Sequence, residues 1–259
     1  MSGGICFPGN LYKFALNYCD VMKENNPCIY LIPVTLGDCE PEKVLPAYNL
    51  EVIRSLRYFV VENLRSARRF LKRCDRSIVI DDLHFEELNE HTPAERVAEL
   101  LRPAEEGHDV GVISEAGCPA VADPGADLVA VAQRKGFKIV PLVGPSSILM
   151  SLMGSGFNGQ NFAFNGYLPV DKEARAAKFH EMERRIRHEN QTQIFIETPY
   201  RNNRLIAEIA KSLNPSLLLC VAADITGERE SILTRPVSWW GKAQYDYDKI
   251  PAIFLLYKQ

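Results

Sequence analysis

The strongest constraint on the fold is a unit that recurs through the first half of the chain: a short apolar run, a loop of small residues, then a helix. The clearest runs cover residues 28–34, 109–114 and 138–142. Apolar runs of this length are typical of strands buried in a parallel sheet. Strands that alternate with helices indicate βαβ units. The first half is therefore predicted to be a mostly parallel βα domain.

The second half has a different pattern. Glycines at 154, 156 and 159 mark a plausible domain boundary. A charged helix over 173–188 and strands over 192–197, 217–222 and 252–257 then predict an α+β domain with a mixed sheet. The expected organisation is an α/β protein with an irregular extension over 1–27, a first domain over 28–157 and a second over 158–259.

Composition excludes several classes of protein. The chain has 259 residues, 46% of them hydrophobic, and a formal net charge of -3. No apolar run reaches the roughly 20 residues of a membrane-spanning helix, and the net charge argues against a general affinity for nucleic acid. Seven cysteines without a CxxC pair favour a reduced, cytoplasmic protein. No HExxH motif occurs and the five histidines are scattered, so no metal site is expected.

One segment departs from this average charge. In the helix predicted to begin at residue 63, six cations at helical spacing share one face: Arg65, Arg68, Arg69, Lys72, Arg73 and Arg76. Like charges at this spacing repel, so a polyanion such as RNA would explain them. The alternative is a solvated face. A second basic cluster, around Arg184, Arg185 and Arg187, alternates with glutamates and is better explained as a solvated face.

Three loops that follow strands predict a ligand site. Residues 35–38, 115–119 and 144–147 are rich in Gly, Pro and Ser. In an open parallel sheet ligands bind at the carboxyl ends of the strands, where glycine lets the backbone approach them. An adenosyl or nucleotide-like occupant is one interpretation, and ordinary βα turns are the other. Neither GxGxxG after the first strand nor a P-loop is present, which disfavours Rossmann dehydrogenases and P-loop NTPases.

The motifs in order resemble those of a known family. They are YLIPVTLGD at 30–38, VENLR at 61–65, ISEAGCPAVADPG at 113–125, VPLVGPSS at 140–147, GYLP at 166–169 and IFIETPYR at 194–201. Over residues 28–259 the chain resembles the tetrapyrrole methylase superfamily of S-adenosylmethionine-dependent methyltransferases. Within it, the pattern is most similar to the small-subunit ribosomal RNA (cytidine-2′-O)-methyltransferases.

This resemblance implies a two-domain tetrapyrrole-methylase-like fold, S-adenosylmethionine in the cleft between the domains, and a homodimer. It also implies ribosomal RNA or the small ribosomal subunit as partner. The positions that match the family's cofactor site are Leu36, Gly37, Glu115, Ala116, Gly117, Cys118, Val121, Ser147, Ile148, Ala222, Ala223 and Ala252. The candidates for moving a proton or orienting the acceptor are Glu62, Arg65, Asn89, Glu90 and Asp123.

The sequence departs from the branch at several positions. Asn63 stands where the branch has Asp, and Ala223 and Gly227 replace an Arg and a Lys. Glu115 replaces an Asp, and the end at Gln259 predicts that the small C-terminal helical domain of many members is missing. Two alternatives therefore stay open beside the ribose methyltransferase: a methyltransferase of a small tetrapyrrole-like molecule, and a non-catalytic module that binds cofactor or RNA.

Overall fold

Two five-stranded sheets account for the alternating apolar runs. A computed structural model describes residues 26–258, so residues 1–25 of the predicted extension lie outside the described part. The chain divides into two units. The first comprises residues 26–32, Tyr48–Glu115 and Pro119–Leu142, and the second comprises Pro33–Ala47, Ala116–Cys118 and residues 143–258.

The sheet of the first unit is parallel throughout, as predicted. Its strands are β1 (Cys28–Leu31), β2 (Tyr58–Val61), β3 (His84–Glu87), β4 (Val110–Ile113) and β5 (Lys138–Pro141). They lie in the order β3-β2-β4-β1-β5. Strand β4 is buried along its whole length, which explains its unbroken apolar sequence.

Helices cover this sheet. They are α1 (Ala47–Ser55), α2 (Leu64–Cys74), α3 (Ala94–Val97), α4 (Arg102–Glu105) and α5 (Gly125–Arg134). Helix α2 buries one stripe, made of Ala67, Phe70, Leu71 and Cys74, and its N-cap Asn63 accepts hydrogen bonds from the backbone N–H groups of Arg65 and Ser66. These four buried residues are spaced i, i+3, i+4 and i+7, which is the spacing of the apolar face of an amphipathic helix.

The sheet of the second unit is mixed, as predicted. Its strands are β6 (Phe162–Tyr167), β7 (Thr192–Ile196), β8 (Leu218–Ala223), β9 (Ser231–Pro236) and β10 (Ala252–Tyr257). They lie in the order β6-β7-β10-β8-β9, in which only β6 and β7 are parallel. The helices of this unit are α6 (Ser147–Ser155), α7 (Lys172–Glu189), α8 (Asn202–Ser212) and α9 (Val237–Trp240).

Two local features differ from the sequence prediction. Strand β3 had no apolar signal, because it lies at the edge of the sheet and carries exposed charged residues. Thr92, Pro93 and Glu95 also predict a single helix over 93–101 with Thr92 as its N-cap. Instead α3 ends at Val97 and a 3-10 turn, Glu99–Leu101, follows. The Thr92 hydroxyl accepts a hydrogen bond from the Asn89 N–H at 3.0 Å, so it does not cap the helix.

The division into units also differs from the boundary expected after residue 157. Helix α6 belongs to the second unit. There Leu152 packs in a buried cluster with Ile194 and Ala222, and the Ser155 carbonyl accepts a hydrogen bond from the Thr234 hydroxyl at 2.9 Å. The glycine-rich stretch therefore includes the end of a packed helix, which composition alone does not reveal.

Candidate functional site

A cavity of about 140 Å³ lies in the second unit, at the edge where β7 and β8 end and the antiparallel β10 begins. Its walls are mainly apolar. The lining residues are Leu36, Ala116, Ser147, Ile196, Ala222, Asp224, Ile225, Pro251, Ala252 and Ile253. The loop segments Pro33–Ala47 and Ala116–Cys118 come from the first half of the sequence but belong to this unit, and each supplies a wall residue.

Most of the twelve predicted cofactor residues cluster here. Five line the cavity: Leu36, Ala116, Ser147, Ala222 and Ala252. Ile148 packs against the buried cluster that contains Ala222 and Ile225. Gly37 lies close to Asp224, since a Cβ at this glycine would be 3.4 Å from the Asp224 Oδ1 atom. The Cys118 thiol donates to the Pro145 carbonyl at 3.4 Å, and burial raises the pKa of this thiol.

Three of the twelve lie elsewhere. Ala223 faces the opposite side of the sheet from Ala222, in the core around Val237 and Trp240, because successive strand residues alternate between faces. Glu115 and the half-exposed Val121 belong to the first unit. Five lining residues were not among the predicted ones: Ile196, Asp224, Ile225, Pro251 and Ile253. Ile196 lies within the motif at 194–201, and the other four lie within two residues of Ala223 or Ala252, so proximity to a motif or a predicted residue was the signal in the sequence.

Gly117 brings the backbone close to a cavity wall. Its φ is +69°, a region that favours glycine. A Cβ here would lie 3.0 Å from the Leu36 side chain and 3.3 Å from the Pro145 carbonyl oxygen. The Val34 N–H donates to the Gly117 carbonyl at 2.9 Å, which joins the first two loops. Glycine is therefore required here by both conformation and space.

Gly227, one of the departures from the family pattern, lies in a tight turn after β8. The Asp224 Oδ2 atom accepts a hydrogen bond from the Arg229 N–H at 2.9 Å. A Cβ on Gly227 would lie 2.3 Å from the Asp224 Oδ1 atom, so a larger side chain here would require the Asp224 carboxylate to move. Lys43 supports the same turn, because its Nζ atom donates to the Thr226 carbonyl at 2.9 Å. The Asp224 carboxylate therefore lies in the space beside Gly227 that a side chain at this position would enter.

The first unit holds a group of carboxylates around Glu62. The Glu115 N–H donates to the Glu62 Oε2 atom at 2.9 Å, and the Ser66 hydroxyl donates to the Glu115 Oε2 atom at 3.1 Å. Burial raises the pKa of Glu62, and the negative charges of Asp123, Glu115 and Glu90 add to this effect against the opposing hydrogen bond from Glu115. Glu62 is thus set apart from an ordinary surface carboxylate.

The other predicted catalytic residues have simpler surroundings. The Asp123 Oδ1 atom accepts from the backbone N–H groups of Ala120 at 3.0 Å and Gly125 at 2.7 Å, so it holds its own loop. The Asn89 Oδ1 atom accepts from the His91 N–H at 3.0 Å. The Glu90 side chain is 85% exposed, with a carboxylate oxygen 3.6 Å from the His91 Nε2 atom. Arg65 is exposed in the first turn of α2.

The basic face of this helix is shorter than predicted. Helix α2 ends at Cys74 with Asp75 as its C-cap, so Arg76 lies beyond it and is not part of the helical face. The segment after the helix is held by the Asp75 carboxylate, which binds Arg54 and the Ser77 N–H. Five cations remain on α2: Arg65, Arg68, Arg69, Lys72 and Arg73. Arg73 is half-buried and the other four are exposed.

The second basic cluster is neutralised by its own helix. On α7, Arg185 lies 2.7 Å from Glu181 and Arg187 lies 2.6 Å from Glu183, each measured from guanidinium nitrogen to carboxylate oxygen. Arg184 pairs with Glu189 at 3.4 Å. The interpretation of this cluster as a solvated, charge-paired face is therefore confirmed, and it contrasts with α2.

Residues 26–258 contain neither a metal-binding cluster nor a membrane-spanning helix. Among residues 26–258, no group of three or more His, Cys, Asp or Glu side chains is arranged to hold a metal ion. In the same part of the chain, no helix combines the length and apolar character needed to cross a membrane.

Curated proteins of similar sequence carry one name. The chain is 29% identical over 212 residues to ribosomal RNA small subunit methyltransferase I of Vibrio cholerae, a match that covers 82% of the chain and 65% of that protein. It is 31% identical over 149 residues to the Pasteurella multocida protein of that name, a match that covers 58% of this chain and 52% of that protein. It is 26% identical over 209 residues to the Escherichia coli O157:H7 protein, a match that covers 81% of this chain and 69% of that protein. The chain thus spans about half to two thirds of these relatives. No family model matches it.

Solved structures with the same fold are methyltransferases. The methyltransferase CobJ aligns with a TM-score of 0.61 at 15% identity, covering 90% of this chain and 94% of CobJ. The uroporphyrin-III-C-methyltransferase of Thermus thermophilus aligns with a TM-score of 0.52 at 18% identity, covering 90% and 93%. The predicted two-domain tetrapyrrole-methylase-like α/β fold is confirmed by these alignments.

Proposed function

We propose that this chain, a sequence relative of the small-subunit ribosomal RNA methyltransferases I with the fold of the tetrapyrrole methylases, is a methyltransferase that uses S-adenosylmethionine. The observation that carries the proposal is the cavity of the second unit, where five predicted cofactor residues from separate motifs come together. The names of the curated relatives support the same activity.

The cavity's chemistry fits S-adenosylmethionine. Adenosine needs apolar walls and polar groups at its edges. Leu36, Ala222 and Ile225 are apolar walls, while the Ser147 hydroxyl and Asp224 carboxylate are the polar side chains of the lining. Gly117 adds a stretch of backbone that no Cβ obstructs. The same residues would hold the adenosyl part of the cofactor, whose sulfonium supplies an electrophilic methyl group when bound.

The proposed acceptor is the 2′-hydroxyl of a ribose in small-subunit ribosomal RNA. Transfer of a methyl group to a hydroxyl oxygen releases that hydroxyl's proton, which a base must take up. We assign this role to Glu62, because its raised pKa makes it a stronger base than an ordinary glutamate. Arg65 is the proposed contact for a neighbouring phosphate. Asn89, Glu90 and Asp123 stay as predictions, with Asp123 acting through its loop.

RNA as the substrate also accounts for the unbalanced charge of α2. Four exposed cations occupy its solvent-facing side, and the helix contains no acidic residue. This face, with Arg76 beyond the helix end, is the proposed contact for the phosphate backbone. A homodimer and a cytoplasmic location stay as predictions that accompany this function.

Labelled cofactor tests the proposal. The purified chain is incubated with methyl-labelled S-adenosylmethionine and small subunits from a strain that lacks the gene. Label recovered in a ribose of the small-subunit RNA is the expected result. Cofactor binding by calorimetry without any labelled RNA would contradict the RNA activity and favour the non-catalytic module.

A small tetrapyrrole is the second candidate substrate, favoured by the likeness to the fold of uroporphyrin-III-C-methyltransferase. The same assay with uroporphyrinogen III as acceptor separates the two. Transfer to the tetrapyrrole and none to RNA would replace the first proposal with the second.

A further inference from the structure

Two exposed tyrosines lie at the end of neighbouring strands in the second unit. Tyr167 ends β6 and Tyr200 lies in the turn after β7. Their exposed fractions are 65% and 73%, and Val170, on the loop after β6, is 77% exposed. Aromatic side chains this exposed add little to the stability of a fold, since their apolar surface stays in water.

The two strands are parallel, so both segments leave the same edge of the sheet. Tyr167 pairs in register with Ile196, and Ile196 lines the cavity described above. Tyr167 therefore lies beside a strand residue that lines the proposed cofactor site, and Tyr200 follows that residue by four positions. In an α/β fold, this carboxyl-terminal edge is where ligands bind.

A bulge directs Tyr167. The pairing of β6 with β7 shifts between Phe164 and Tyr167. Gly166 within the bulge has a φ of +63°, and a Cβ there would meet nothing within 4 Å, so conformation alone requires the glycine. The Asn165 side-chain amide holds the bulge by donating to the Ile194 carbonyl at 3.3 Å. Bulges of this kind re-aim a side chain beside a binding site.

Buried charges hold both segments in place. The Arg175 side chain is 4% exposed, and its guanidinium donates to the Pro169 and Val170 carbonyls, each at 2.8 Å, and to Glu208 at 2.9 Å. After β7, the buried Glu197 carboxylate accepts from the Thr198 N–H at 2.8 Å and lies 3.5 Å from Arg201. A buried charge is costly unless it is well bonded. Here these bonds hold the loop that follows Tyr167 and the turn that carries Tyr200.

We propose that Tyr167 and Tyr200 form a stacking platform for an unpaired base of the RNA substrate. An aromatic ring fixed on a rigid loop can stack on any base with little loss of conformational entropy, which is how single-stranded RNA is commonly bound. The inference rests on the proposed function, because it assumes that the acceptor is RNA. It adds a contact with bases, distinct from the proposed phosphate contact of α2.

Binding of a short, unstructured single-stranded RNA tests the platform. Tyr167→Ala and Tyr200→Ala are each expected to weaken binding by about 5- to 150-fold, the range expected for loss of one base stack. Tyr200→Phe keeps the ring and is expected to bind as the unmodified protein does. The control is Tyr48→Ala, an exposed tyrosine on α1 of the first unit, with unchanged affinity expected.

The salt dependence separates stacking from charge. Stacking involves no phosphate, so the RNA affinity of the alanine variants is expected to fall by the same factor at low and at moderate salt. The slope of log affinity against log salt should stay unchanged. A changed slope, or full affinity in both alanine variants, would overturn the platform while leaving RNA methylation intact.

Uroporphyrin serves as a flat-ring probe in parallel. If the protein binds uroporphyrin through these tyrosines and binds no RNA, the RNA platform is overturned in favour of a tetrapyrrole site. Absence of binding to either probe would also overturn the platform. The proposed function has its own readout in the labelled-methyl assay with whole small subunits, so the two can fail separately.

Discussion

Glu62 illustrates how position decides the chemistry of a single residue. It follows β2 directly, and its backbone N–H donates to the Ile113 carbonyl at the end of β4. That continuation of the sheet brings its carboxylate to the Glu115 N–H, half-buried and facing other negative charges. The free energy of its charged form is raised by this environment, so its pKa rises from the ordinary value.

Glu62→Gln is expected to lower kcat by about 10²- to 10⁴-fold, the usual contribution of a general base. A base must be deprotonated, so the activity of the unmodified protein should rise with pH through the Glu62 pKa. That acidic limb should lie above the roughly 4.3 of a free glutamate, because the pKa is raised. Steady-state rates against pH measure both effects.

Glu95→Gln, on exposed α3, is the control and should leave the rate and pH profile unchanged. A Glu62→Gln variant that keeps the acidic limb would show that another group is the base.

Gly117 offers a second test at the residue scale, and Gly136 is its matched control. Both have positive φ, +69° and +78°, so alanine strains either position by about 1 kcal/mol. A Cβ at Gly117 would meet the Leu36 side chain and the Pro145 carbonyl. A Cβ at Gly136 would meet nothing within 4 Å. Both variants should therefore lose stability, but only Gly117→Ala should weaken cofactor binding, by about tenfold or 1.4 kcal/mol.

Calorimetric titration with S-adenosylhomocysteine and thermal unfolding together measure this difference. Equal cofactor affinity in the two glycine variants would mean that the close approach at Gly117 is irrelevant to binding.

At the scale of elements, α2 and α7 show that similar numbers of cations can have different consequences. On α7 the arginines alternate with glutamates at i and i+4 and form ion pairs along the helix. Helix α2 contains no acidic residue, and its cations follow one another on the side opposite the buried stripe. Mutual repulsion on α2 is therefore uncompensated within the helix, which is the property expected of a surface that meets a polyanion.

Arg69→Glu tests this surface with Arg187→Glu on α7 as its control. Arg69 is exposed and makes no ion pair within residues 26–258. Its reversal should weaken RNA binding about tenfold at low salt and reduce the salt slope by about 0.7 for each single-strand phosphate that the variant no longer neutralises. Filter binding or fluorescence anisotropy over a salt series measures both quantities. If Arg187→Glu changes the slope as much as Arg69→Glu does, the effect reflects net charge alone.

At the scale of the whole molecule, the two units do not follow the order of the sequence. The second unit takes in Pro33–Ala47 and Ala116–Cys118, both of which follow strands of the first unit's sheet. These segments provide Leu36 and Ala116 to the cavity, beside residues more than a hundred positions away such as Ala222. Cofactor binding should therefore stabilise several separated parts of the chain together.

Hydrogen exchange is the measurement for this expectation. Saturation with S-adenosylhomocysteine at about 100 times its Kd should add about 2.7 kcal/mol to the free energy of unfolding. Local slowing of exchange should be greatest around residues 34–37, 116–118, 222–225 and 251–253. Strand β3 and helix α3, at a distance in sequence from every lining residue, serve as internal references. Slowing confined to one of the lining segments would contradict a single shared cavity.

The sequence alone determined the features that depend on neighbouring residues. The strand over 252–257 has the predicted bounds, because an apolar run is a local signal. Gly136 follows the last turn of α5, where glycine commonly ends a helix. The small-residue loops that were expected to meet a ligand do supply Leu36, Ala116 and Ser147 to one cavity.

Only the tertiary structure decided which side of an element each residue faces and which unit it joins. Ala222 and Ala223 are chemically identical, yet one lines the cavity and the other packs in the core behind the sheet. Edge strand β3 has no apolar signal and exists because β2 offers it a partner. Glu115 and Ala116 are adjacent in sequence and belong to different units. The physical reason is that periodicity is a local property of the sequence. The side that a residue faces, the strand it pairs with and its burial depend on partners distant in the chain.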